Sequence, residues 1–333
     1  MGALYGLAIG DALGMPTQSL PRSLIVSQYG SRIKDFYPAP LDHPIAAGLP
    51  RGRITDDTEQ ALLLAELLIE TSGIPAPKTV AQRLIAWEEA MRQRGSHDLL
   101  GPSTVRALTA ILQGEDVERA GQYGTTNGAA MRIPPLGIAT PSHNLLHLVD
   151  QVVALSYVTH NTGLALSGAA AVAAAISAGI EGASVAEATR QAIRAAEIAA
   201  ERGFWVAGGD VGARIEWAVS FLPRAGHAED PADIIYRLIG TSLASQESVP
   251  AAFAALALHP HDAWQVCQFA AALGGDTDTI SAMAGAIGGA CLGFQAFPSW
   301  ARDTVDAVNN LKLENLADAL LTLRQSLTKG GSR

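Results

Sequence analysis

The chain has 333 residues, 48% hydrophobic and 17% charged, with a net charge of −9. That balance excludes an intrinsically disordered chain, and the negative charge argues against non-specific binding to nucleic acid. Two cysteines, Cys267 and Cys291, are too few for a disulfide framework and stand at no metal-ligand spacing, so both read as buried apolar thiols.

Alanine and leucine dominate and aromatics make up only 5%, which favours closely packed helices over sheets. Residues 1–13 read as a helix of small residues, among them Gly2, Gly6 and Gly10. Each glycine costs a helix about 1 kcal/mol, so packing against a neighbour must hold it. Residues 21–50 carry Pro21, Pro38, Pro40, Pro44 and Pro50 with little periodicity. They read as a long irregular excursion that walls a site, because it delivers the chain to Thr55. Helical periodicity then runs over 59–70, 80–92 and 103–112, with a polar loop over 92–101. Residues 121–128 form a loop rich in glycine and hydroxyls. Further helices are predicted over 145–157, 164–180, 185–200, 208–222, 232–239, 250–257, 261–273, 280–292, 299–311 and 315–327.

The alanine-rich run 164–180 contains Ser167 and Gly168 and reads as a tightly packed core helix rather than a membrane span. The first segment lacks a basic start and contains Asp11, so it is not read as a signal peptide, and a cytoplasmic protein is the expectation. There is no strand alternation, no repeat and no linker-like composition. The expected architecture is a single all-α domain over residues 1–328, an orthogonal multi-helix bundle, with a frayed tail over 329–333.

Two clusters stand out. Thr55-Asp56-Asp57-Thr58 precedes the apolar run 61–69, and Gly274-Gly275-Asp276-Thr277-Asp278-Thr279 precedes the apolar run 280–292. One Asp or Thr at such a position is enough to cap a helix. Several carboxylates crowded together repel one another, and a hard divalent cation relieves that repulsion through carboxylate and hydroxyl oxygens. Two such helix starts, brought together by folding, suit one or two cations. No accompanying His–Cys set points to zinc. The loop Gly124-Thr125-Thr126-Asn127-Gly128 reads either as a phosphate cradle or as a plain glycine-rich turn.

These segments, taken in order with Gly6-x-x-x-Gly10-Asp11-Ala12-Leu13-Gly14, Asn127-Gly128-Ala129-Ala130-Met131-Arg132 and Thr159-His160, resemble the ADP-ribosylglycohydrolases. The resemblance spans nearly the whole chain. It implies a compact all-helical fold, a dinuclear Mg²⁺ or Mn²⁺ centre, and hydrolysis of an N- or O-glycosidic bond at the ribose anomeric carbon. Residue by residue it implies metal ligation by Thr55, Asp56, Asp57, Asp276, Asp278 and Thr279. Asp57, Asp276 and Asp98 become the candidate catalytic carboxylates, although Asp98 reads equally as a solvated loop residue. Substrate contacts fall to Gln18, Thr126, Asn127, Gly128, Met131, Arg132 and His160. Arg132 also reads as a structural ion-pair partner, and His160 as a satisfied core histidine. Many family members carry a glutamate where this chain has Gln18, and an amide can neither take a proton nor supply charge.

The leading expectation is thus a divalent-metal-dependent hydrolase of ADP-ribosylated protein or a related small riboside. A hydrolase of free N-ribosides such as nucleosides, and a non-catalytic ADP-ribose binder, are the alternatives. Nothing in the residues specifies an oligomeric state.

Overall fold

Four glycines at intervals of four, Gly2, Gly6, Gly10 and Gly14, lie on one side of the first helix, α1 (Gly2–Gly14). In the computed structural model, which describes residues 1–96, 100–222 and 230–330, that side meets a late helix at backbone distance. A Cβ placed on Gly6 would stand 1.9 Å from the Gly285 carbonyl oxygen, one on Gly2 2.0 Å from that of Gly289, and one on Gly10 2.1 Å from that of Ser281. The pairing is antiparallel, so the C-terminal end of α1 is delivered to the start of the helix that carries Asp278. Nearly all of α1 is buried, which explains why its sequence is apolar all round rather than amphipathic.

The remaining helices follow as α2 (Arg22–Tyr29), α3 (Asp56–Thr71), α4 (Pro77–Gln93), α5 (Pro102–Leu112), α6 (Val117–Ala120), α7 (Gly128–Arg132), α8 (Pro134–Ala139) and α9 (Leu145–Ser156). Next come α10 (Gly163–Ile180), α11 (Val185–Ala200), α12 (Val211–Phe221), α13 (Pro231–Ile234), α14 (Ser245–Leu258), α15 (Ala263–Ala270), α16 (Thr277–Leu292), α17 (Ser299–Asn309) and α18 (Leu313–Gly330). A wider turn over Ile235–Ile239 continues α13, and a 3₁₀ turn over Phe294–Ala296 links α16 to α17. The described residues contain no β-strand, and the fold is all-α.

The core centres on α10, α14 and the α1–α16 pair. Helix α10 is long and apolar enough to cross a membrane, with a mean hydropathy of 1.8, but 89% of it lies inside the fold. Its alanines let α11, α14 and α16 approach closely on several sides.

Four local features differ from the sequence reading. The excursion over 21–50 contains α2, which starts after Pro21, a residue whose fixed φ suits a helix entry. Only Arg22 and Ile25 of α2 are buried, so it carries no apolar stripe to read. Helix α14 begins at Ser245, upstream of Pro250, which lies inside it. The stretch 117–139 holds three short helices, α6, α7 and α8, each too brief for periodicity to register. At the other end, α18 runs to Gly330, into the segment expected as a tail.

Candidate active site

Helix α3 is capped from a distance. Thr55, at its N-cap, makes no capping bond of its own. The buried carboxylate of Asp11, from α1, instead accepts from the backbone N–H of Thr55 at 3.0 Å and of Thr58 at 3.1 Å. It also accepts from both threonine hydroxyls. Burial pushes the Asp11 carboxyl up to about 6, against the pull of these four donors. With Asp11 acting as the cap, neither Asp56 nor Asp57 is needed for it.

The start of α16 is built on a double turn. Gly274 and Gly275 have φ of +89° and +75°, a region that L side chains rarely enter. A Cβ on Gly275 would also stand 2.3 Å from the Thr241 carbonyl oxygen. Backbone hydrogen bonds stitch this turn to two others. Gly275 N–H donates to Leu20, Ser19 N–H to Gly275, and Asp276 N–H to Thr241. Asn127 N–H in turn donates to Leu243, and Ser245 N–H to Thr125. Four segments far apart in sequence thereby meet at one place. Asp276, at the N-cap, makes no capping bond. Its carboxylate accepts from Asn127 Nδ2 at 2.6 Å, and burial pushes it up to about 6, against the hydrogen bonds from Asn127 and Thr279.

The two helix starts meet at Thr279. Its hydroxyl donates to Asp57 Oδ2 at 3.3 Å and also lies against Asp276. Thr55 Oγ1 reaches the same Asp57 oxygen at 3.2 Å. Asp57 and Asp276 therefore belong to one site. The donor set is all hard oxygen, which suits Mg²⁺ or Mn²⁺ and not zinc. Among the described residues, however, no three His, Cys, Asp or Glu side chains form a ready metal-ligating group. As they stand, the carboxylates are bridged by threonine hydroxyls, and a cation would draw on both residue types.

A cleft of about 270 Å³ opens beside this cluster. Asp56, Asp276, Asp278 and Thr279 line it, as do Gln18, Thr126, Asn127, Gly128 and Met131. Thr55 and Asp57 lie just behind, fully buried. Ile45, from the proline-rich excursion, contributes to the wall. Ser19, Leu100, Pro102, Thr104 and Leu243 also line the cleft and were not singled out from the sequence. Asp98 lies outside the described residues.

Arg132 and His160 are buried behind the lining. His160 shares hydrogen bonds with Thr159 Oγ1 at 2.8 Å and Thr126 Oγ1 at 3.1 Å. Burial, and then the adjacent Arg132, hold it well below the usual imidazole range, so it is neutral. The glycines of the 124–128 loop answer to this packing. A Cβ on Gly124 would stand 2.3 Å from the Thr159 carbonyl oxygen, and one on Gly128 3.0 Å from the His160 ring.

The segment that delivers Thr55 is clamped by Asn309 of α17. Its amide donates to the Gly52 carbonyl at 2.8 Å and accepts from Ile54 N–H at 3.2 Å and Arg53 at 3.1 Å. Arg53 in turn pairs with Glu59 at 2.6 Å, which also accepts from Trp87.

Comparison with known proteins identifies the family and the fold. The ADP-ribosylglycohydrolase family profile matches residues 1–329. The uncharacterized protein YegU of Escherichia coli (strain K12) is 37% identical over 326 residues, covering 98% of this chain and 97% of its own. ADP-ribosylhydrolase ARH3 of Mus musculus is 30% identical over 328 residues, covering 90% and 85%. A solved ADP-ribosylglycohydrolase-related protein complex superposes with a TM-score of 0.70 at 25% identity, covering 97% of this chain and 96% of that one. The fold is that of the ADP-ribosyl hydrolases, glycosidases that cleave ADP-ribosyl bonds. The chain belongs to the ADP-ribosylglycohydrolase family.

Proposed function

We propose that this enzyme is a divalent-cation-dependent hydrolase that cleaves the bond between the anomeric carbon of an ADP-ribosyl group and its acceptor. One observation carries the reading. The starts of α3 and α16 crowd aspartates that neither helix uses as a cap, and Thr279 joins them beside a cleft.

Thr55, Asp56, Asp57, Asp276, Asp278 and Thr279 would hold Mg²⁺ or Mn²⁺. When bound, such ions polarise ribose hydroxyls and lower the pKa of water. The chain's own groups orient the sugar and exclude solvent. Asn127 keeps Asp276 in place, and an aspartate takes the proton of the attacking water and passes it to the leaving group, which departs with the bonding electron pair. Asp56→Ala and Asp278→Ala should each lower turnover by at least a hundredfold while helical circular dichroism is retained. Full activity in either variant contradicts the reading.

The cleft volume, about 270 Å³, favours a second reading. It is at the small end for ligand sites, and its apolar wall of Ile45, Leu100, Pro102 and Leu243 would suit a free N-riboside with a compact leaving group. Hydrolysis of ADP-ribosylated arginine, ADP-ribosylated protein and a nucleoside panel by one preparation separates the two. Mg²⁺ binding with no turnover on any of them would leave a binding protein.

A further inference from the structure

Arg132 ends α7 with its guanidinium sealed from solvent at 1% exposure. Its hydrogen bonds run to neutral groups: Gln60 Oε1 at 3.4 Å, the Thr159 hydroxyl, and His160 Nδ1 at 3.5 Å. None of the direct ion pairs among the described residues includes it. A buried cation without a counter-charge costs several kcal/mol. The carboxylate whose field offsets this one is Asp56.

Gln60 connects the two. It lies one turn after Asp56 on α3, fully buried. Its Oε1 accepts from Arg132, and its Nε2 donates to Asp56 Oδ2 at 2.8 Å. A carboxamide suits this place because it presents an acceptor to a guanidinium at one end and a donor to a carboxylate at the other. Glutamate would lack the donor, and leucine would lack both.

We propose that Arg132 and Gln60 form a positioning pair for Asp56. The guanidinium polarises the amide, the amide holds one carboxylate oxygen, and Asp56 is thereby fixed in the rotamer with which it lines the cleft. The role is indirect: both residues act through Asp56 and neither reaches the cleft. It accounts for a charged side chain buried behind the site, and it rests on the reading of Asp56 as a cation ligand.

The test uses the full chain and Mn²⁺ alone, followed by calorimetric titration and by thermal unfolding in chelator and in saturating Mn²⁺. Two variants are compared with wild type. Gln60→Leu removes the connection. Gln60→Glu keeps an acceptor for Arg132 and replaces the donor to Asp56 by a carboxylate oxygen whose added charge the Arg132 guanidinium offsets, so it remains informative if Gln60→Leu fails to fold. Groups that orient metal ligands are commonly worth ten- to a hundredfold in affinity. Gln60→Glu is expected to bind Mn²⁺ about tenfold more weakly or worse, with a smaller Mn²⁺-induced rise in Tm. Its Tm in chelator should stay close to wild type, which a purely structural role would not allow. Wild-type Mn²⁺ affinity in Gln60→Glu overturns the proposal. Absence of Mn²⁺ binding by the wild type overturns the metal reading itself.

Discussion

At the scale of single residues, Asp11 shows how a buried carboxylate releases others for chemistry. Four donors from Thr55 and Thr58 converge on it. Asp11→Asn would turn an N–H₂ group toward some of these donors, with an expected loss of about 1–3 kcal/mol. Urea denaturation in chelator measures this, and an unchanged midpoint would show that Asp11 is not the cap. Gln18 is the second informative residue. Its Nε2 is buried with no hydrogen-bond partner among the described residues, and the side chain lines the cleft. Gln18→Glu adds a carboxylate there and should tighten Mn²⁺ binding and alter turnover. Unchanged titration and kinetics would remove Gln18 from the site. The clusters around Asp56 and Asp278 were legible because each is local in sequence. The roles of Asp11, Asn127 and Gln60 were not, because they depend on pairings 44, 149 and 72 positions apart.

At the scale of elements, the glycine seam between α1 and α16 sets the geometry of the site. It fixes the distance from Asp11, near the end of α1, to Asp278, in the first turn of α16. Gly6→Ala would drive a methyl group into the Gly285 carbonyl, a backbone atom that cannot swing aside. Overpacking of this kind costs about 1–3 kcal/mol or more. A chemical-denaturation midpoint falling by that amount, with weaker Mn²⁺ binding, is the expected result. Wild-type stability in Gly6→Ala would mean that the seam is looser than described. The small residues of 1–13 announced close packing, but composition names neither the partner helix nor its register. Helix α2 was hidden because it buries only Arg22 and Ile25, and α6 to α8 because each is too short to leave a period.

At the scale of the whole molecule, the last helix ties the chain together through Arg324. Its guanidinium donates to the carbonyls of Ile138 at 3.1 Å and Thr140 at 2.7 Å, and it pairs with Glu181. Burial raises the Glu181 carboxyl, but hydrogen bonds from Ser142 and the charge of Arg324 outweigh it and leave the group below its ordinary 4.5. A carboxyl depressed on folding stabilises the native state above its unfolded pKa, and that contribution is lost as pH falls through the folded value. Glu181→Gln should therefore lower the urea midpoint at pH 7 and narrow the gap between pH 7 and pH 4. Equal losses at both pH values would rule out this linkage. The all-α class was legible because alanine, leucine and helical spacing agree along the chain, whereas the convergence of four loops at Gly275 is a product of packing alone.

The proposed function requires the two distant acidic helix starts to form one cation-using hydrolytic site. Release of ADP-ribose from ADP-ribosylated arginine, followed in excess chelator and again after Mg²⁺ is restored, tests it most directly. The predicted result is turnover that disappears with the chelator and returns with the cation. Undiminished turnover in chelator would contradict it.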